Sequence, residues 1–199
     1  PNLSESIFST MSALATKHKA LNLSQGFPNY KTSSELQILV EKAMAAGHNQ
    51  YAPLRGDLKL KEVLSEKIEN TQNTYYHPET EITITVGASQ ALFNSIHAYI
   101  NKGDEVIVFK PAFDTYEPTI KLNGGIPILI QLQHPTYTID WREVASKITK
   151  KTKMILINTP HNPTGKVLSR EDLNQLSKVT DNTNIIILSD EVYDHMTYD

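Results

Sequence analysis

From residue 81 onward, short apolar runs alternate with segments whose apolar residues recur at helical spacing. "EITITV" (81–86), "EVIVF" (105–109), "IPILIQL" (126–132), "KMILIN" (153–158) and "IIIL" (185–188) are rich in β-branched residues and bounded by polar or turn residues, so each predicts a strand. Between them, "SQALFNSIHAYI", the shorter "TYEPTIKLN", "DWREVASKI" and "SREDLNQLSKV" predict helices. Strand–helix alternation implies βαβ units, hence an α/β fold with a mostly parallel sheet covered by helices on both faces. "LQHPTY" is the one stretch expected to leave the sheet as a hairpin or excursion. Upstream, the pattern predicts an amphipathic helix with Ser4 as N-cap and Ile7, Phe8, Met11, Leu14 and Ala15 on one face. A short strand at Leu21 to Leu23, a loop "SQGFPNY" and a helix from about Ser34, ended by Gly47, come next. The loop "NQYAPLRGD" then leads into a helix "LKLKEVLSEKIEN". No internal repeat, low-complexity tract or linker interrupts this order.

Composition removes several functional classes. The net charge is −3, and the 19 Lys and Arg are interspersed with the 22 Asp and Glu, so no surface for nucleic acid or anionic membrane is indicated. The absence of cysteine excludes disulfide scaffolds, thiolate nucleophiles and zinc–thiolate sites, and fits a cytoplasmic protein. No apolar run approaches the roughly 20 residues that span a bilayer. The opening "PNLSESIFSTMSALATKHKALNL" has neither the basic start nor the unbroken apolar stretch of a signal peptide.

In an open parallel sheet, ligands bind beyond the carboxyl ends of the strands, so the loops that follow the strands carry the chemistry. "VGASQAL" (86–92) has a glycine and small residues opening a helix, which suits a phosphate cradle. The same residues also fit an ordinary turn with Ser89 as N-cap, or a nucleophile elbow with Ser89 attacking and His195 and Asp190 as partners. Phe113, in "KPAFDTY", fits either a core ring or a ring stacked on a flat ligand, and Lys110 beside it fits a solvated amine better than a catalytic one. "NTPHNPTGKV" combines two prolines with a Thr-Gly turn, a rigid frame for presenting the amide of Asn162; His161 is expected to be an ordinary loop histidine. It is not a P-loop, because the upstream glycine is missing and Val167 stands where a hydroxyl would bind magnesium; no metal site is expected. Finally, "NIIILSDEVYD" places Asp190 at the mouth of a buried strand, where a carboxylate needs a cation that no nearby lysine or arginine supplies. A phosphate cradle, a stacking ring, a rigid amide and a carboxylate awaiting a cation together describe pyridoxal 5′-phosphate, whose protonated ring nitrogen makes it an electron sink.

"LSQGFP", "NQYAPLRG", "TVGASQALF", "FKPAFDTYEP", "NTPHNPTGKV" and "LSDEVYDHMTYD" resemble the successive motifs of the class I/II aminotransferases, in the methionine and kynurenine aminotransferase branch. The resemblance runs from about Ile7 to Asp199 and implies the large domain of a fold type I pyridoxal-phosphate enzyme. It implies that Ala88, Ser89 and Gln90 bind the phosphate, Phe113 stacks on the ring, Asn162 and Tyr193 bond its phenolic oxygen, and Asp190 pairs with the pyridinium nitrogen. It also implies that Tyr51 reaches the phosphate of a second subunit in a homodimer with shared sites, and that Gly26 and Asn162 adjoin the substrate. On the same basis residues 1–30 are an arm leading toward a small domain and 31–199 the amino-terminal part of a truncated large domain. The family's Schiff-base lysine and its phosphate- and substrate-binding arginines are expected downstream of Asp199, in a protein about twice as long. The implied activity is amino transfer from methionine, an aromatic amino acid or kynurenine to a 2-oxo acid. A β-lyase acting on sulfur-linked amino acids, a non-catalytic domain of the same fold and the Ser89 hydrolase are the alternatives.

Overall fold

The computed structural model describes residues 6–26, 28 and 30–197. The chain forms two compact units, one spanning Ser4–Thr85 and the other Val86 onward.

The second unit is built on a four-stranded, all-parallel sheet of β1 (Glu105–Lys110), β2 (Ile126–Gln131), β3 (Thr152–Asn158) and β4 (Ile186–Asp190), in the order β2-β1-β3-β4. Alternate residues of the central strands face opposite sides. Val106, Val108, Met154 and Leu156 point to a layer formed by α4 (Gly87–Tyr99) and α5 (Tyr116–Leu122), where Leu92, Ile96, Tyr116 and Ile120 meet them. Ile107, Phe109, Ile155 and Ile157 point the other way, to Val144 of α6 (Trp141–Lys147) and Leu176 of α7 (Arg170–Thr180). The central strands are therefore apolar on both faces, whereas β2 and β4 at the edges leave Leu129 and Ile187 exposed. The second helical layer is tied at its base by Asp172. Its carboxylate closes the capping box with Ser169 at the start of α7 and accepts from Trp141 Nε1 of α6 at 3.0 Å. The expected excursion is present as a single antiparallel bridge between Gln133 and Thr138.

The first unit holds α1 (Ile7–His18), α2 (Ser34–Ala45) and α3 (Leu58–Gln72). The helix expected at the amino terminus forms, but Ser6 caps it, accepting from Phe8 N–H at 3.3 Å; Ser4 lies outside the described residues. Gly47 follows α2 at φ +90°, a conformation that stops a helix cheaply only at glycine. Two expected strands are absent. Leu21 and Leu23 lie in irregular chain and are exposed, having no ladder partner. Residues 82–85 also lie outside any ladder, despite their alternation, although Ile84 N–H donates to the Arg55 carbonyl at 3.1 Å. There the chain passes so close to Gly56 (φ +92°) that a Cβ on that glycine would overlap the Ile84 side chain. Period-two patterning marks a segment that fits a sheet, but a strand also needs a neighbour.

Candidate active site

The order of the sheet reverses at β1: β2 lies on one side of it and β3 on the other, so the crevice at the carboxyl ends of β1 and β3 is a topological switch point. A cavity of about 210 Å³ opens at these strand ends. The amino-terminal turn of α4 supplies Gly87, Ala88 and Ser89 to its wall, the loop after β1 supplies Phe113, and the loop after β3 supplies Asn162. Asp190, the last residue of β4, and Tyr193 complete the set. Six of the residues singled out in the sequence therefore line one cavity.

The α4 terminus is prepared for an anion. Gly87, at φ +76°, turns the chain into the helix; no side chain caps it and no acidic residue occupies its first turn. The N–H groups of Ala88 and Ser89 and the positive end of the helix dipole face a ligand at this terminus. Gln90 departs from expectation: it does not line the cavity, because its Oε1 folds back to accept from Val86 N–H at 2.6 Å.

Asp190 is buried and makes no ion pair among the described residues. Neutral donors hold it instead: the Tyr116 hydroxyl donates to Oδ2 at 2.6 Å and Val192 N–H to Oδ1 at 3.2 Å. The sequence reading sought only cations for this carboxylate and so missed Tyr116. The signal was a tyrosine three residues after Phe113, at the head of a short helix. Burial first, and the bond to Asp190 second, push the Tyr116 phenol far above its ordinary range, so it stays a protonated donor.

Asn158 is the other residue missed. The β3–β4 register sets it directly beside Asp190, and its Nδ2 donates to the Asp190 carbonyl at 2.9 Å while its Oδ1 accepts from Asn162 N–H at 2.7 Å. It thus ties the two strand ends together and fixes the backbone that presents Asn162, whose own amide has no partner among the described residues. His161, expected to be an ordinary loop histidine, packs within its own loop. It is buried, its Nδ1 lies 2.8 Å from Thr164 Oγ1, and its backbone closes the loop through Lys166 and Gly165. Desolvation lowers its pKa below the ordinary histidine value, against a smaller opposing effect of the nearby Pro111 backbone.

Lys110 is engaged in an ion pair with Glu117 at 2.8 Å, which removes it as a free amine. The hydrolase arrangement does not assemble: no histidine lines the cavity with Ser89, Asp190 is held by Tyr116, and His195 lies 3.7 Å from Asp194. Tyr51 and Gly26 belong to the first unit, where Tyr51 is fully exposed. No helix among the described residues is long and apolar enough to cross a membrane.

Residues 18–199 match the family model described as aminotransferase class I and II. The methionine aminotransferase of Escherichia coli is 40% identical over the whole of this chain and 51% of its own length. The kynurenine–oxoglutarate transaminase of Dictyostelium discoideum is 36% identical over 98% of this chain and 49% of its own. Among solved structures, Escherichia coli YbdL, identified as a methionine aminotransferase, superposes with a TM-score of 0.93 at 41% identity, over 98% of this chain and 51% of that one. Thermus thermophilus aspartate aminotransferase superposes at 0.91 and 31% identity, over all of this chain and 53% of that one. The chain spans about half the length of the relatives it matches. The sheet and its covering helices are thus those of the fold type I pyridoxal-phosphate enzymes.

Proposed function

The chain belongs to the class I and II aminotransferase family, and from that premise we propose that the whole protein is a pyridoxal-phosphate-dependent aminotransferase moving the amino group of an amino acid to a 2-oxo acid. The observation that carries this reading is Asp190: a buried carboxylate without a cation, in a cavity it shares with an uncapped helix terminus. An anion site and a cation site lining one cavity fit a flat ligand bearing a phosphate at one end and a protonated ring nitrogen at the other. When bound, pyridoxal phosphate supplies an electron sink for charge developing at the amino acid's α-carbon.

The residues divide the work by chemistry. The N–H groups at Ala88 and Ser89 bind the phosphate, and Gln90 contributes by holding the turn through Val86. Asp190 keeps the ring nitrogen protonated, which needs a charged acceptor in a site of low dielectric. Phe113 covers the ring face and excludes water, while Asn162 and Tyr193 donate to the phenolic oxygen. Gly26 and Asn162 adjoin the substrate carboxylate. Tyr51, fully exposed on its own chain, reaches the phosphate site of a second copy, which makes the working unit a homodimer. Residues 1–30 act as an arm, and 31–199 as the amino-terminal part of the cofactor-binding domain. Methionine, aromatic amino acids and kynurenine are the proposed donors, in keeping with the relatives named above. The lack of cysteine supports a cytoplasmic setting.

The test is amino transfer by the full-length protein loaded with pyridoxal phosphate, following both the new 2-oxo acid and the new amino acid. Equal yields of the two from one of these donors support the proposal. Ammonia and pyruvate released from a sulfur-linked amino acid, without amino transfer, would replace it with the lyase.

A further inference from the structure

Tyr116 stands at the first position of α5 and is 2% exposed, yet its one polar atom is spent on a residue 74 positions away. The 2.6 Å distance to Asp190 Oδ2 is that of a short, well-formed hydroxyl hydrogen bond. With Val192 N–H on Oδ1, each Asp190 oxygen has one donor, so rotation of the carboxylate breaks at least one bond. An ionised carboxylate offers about four acceptor positions, and these two donors leave capacity for a cation in the cavity that Asp190 lines. The Tyr116 ring also meets Phe113 edge-on, with centroids 5.8 Å apart and planes at 78°. One side chain thus braces the residue assigned to the ring nitrogen and the residue assigned to the ring face.

We propose that Tyr116 is a positioning residue, fixing the Asp190 carboxylate in the one orientation that recognises the ring nitrogen of the bound cofactor. The inference rests on the cofactor site proposed above. Without the phenol, Asp190 keeps a single donor at Val192 and turns more freely, so selectivity for a protonated ring nitrogen falls while binding of the phosphate end does not.

The experiment uses the full-length protein freed of cofactor. Dissociation constants are measured calorimetrically for pyridoxine 5′-phosphate and for its carbocyclic counterpart, in which C–H replaces the ring nitrogen. The ratio of the two constants is insensitive to the fraction of folded protein. Wild type prefers the nitrogen-bearing ligand; Tyr116→Phe lowers that preference about tenfold and leaves the carbocycle's affinity unchanged. On an Asp190→Asn background the same substitution shifts the ratio less than about twofold, because the partner it acts through is gone. An unchanged preference in Tyr116→Phe, an equal loss for both ligands, or an undiminished effect beside Asp190→Asn overturns the inference while leaving the cofactor site standing. Equal binding of both ligands by wild type removes the site and the inference together.

Discussion

Every buried apolar side chain among the described residues belongs to the unit beginning at Val86, whereas the Ser4–Thr85 unit buries only Lys61 and Ser65. Both units were written with apolar stripes at helical spacing. In the sheet-bearing unit, two apolar sheet faces receive the stripes of α4, α5, α6 and α7. In the other, Ile7, Met11 and Leu14 of α1 and Leu36, Leu39 and Val40 of α2 stay exposed. An amphipathic pattern therefore predicts a helix in both places, but a core only where a second layer is encoded nearby.

Substitutions separate the two cases. The largest effect is expected at Ile155, fully buried in β3: Ile155→Ala should cost about 2–5 kcal/mol in urea-induced unfolding. Gly56→Ala should come next, at about 1–3 kcal/mol, since it combines a left-handed φ with overlap on Ile84. That loss should appear in hydrogen exchange of the first unit and spare β1 and β3. Leu39→Ala, on the exposed stripe of α2, should cost less than about 0.5 kcal/mol in a dissociated chain. A loss as large as that of Ile155→Ala would erase the distinction between the units.

The smallest expected effect is one of pH. His161 has its pKa lowered on folding, chiefly by desolvation, so the unfolded chain takes up its proton first. The histidine's contribution is whole above its ordinary value of 6.5, declines as pH falls below it, and stops declining once the folded form protonates as well. His161→Gln should flatten that segment of the stability–pH curve, and an unaltered slope would assign it to other groups.

How much of this was legible in the sequence depended on whether the cause was local. The four strands of the sheet were marked by β-branched runs that the sheet then bracketed with neighbours. Residues 81–86 carried the same alternation, and among the described residues no partner strand stands beside them, which a local pattern cannot reveal. In the site, Asp190, Phe113, Asn162 and Ser89 were legible because each sits at an element boundary with unusual chemistry for its place. Tyr116 and Asn158 were not, since their roles arise from register and from a bond across 74 residues. Gln90 was assigned to the phosphate by resemblance, and its side-chain oxygen accepts from Val86 N–H.

The most direct measurement on the central claim is the exchange of the α-hydrogen of methionine into deuterated water by the full-length, cofactor-loaded protein, followed by NMR. Asp190→Asn preserves the shape of the carboxylate and keeps an acceptor for Tyr116 while removing the charge. If Asp190 holds the ring nitrogen's proton, exchange should slow by about 100-fold or more with the cofactor still bound, and Asp190→Glu should lose less. Exchange near the wild-type rate in Asp190→Asn would make this carboxylate a structural tie between β4 and α5, and would contradict its place at the centre of the site.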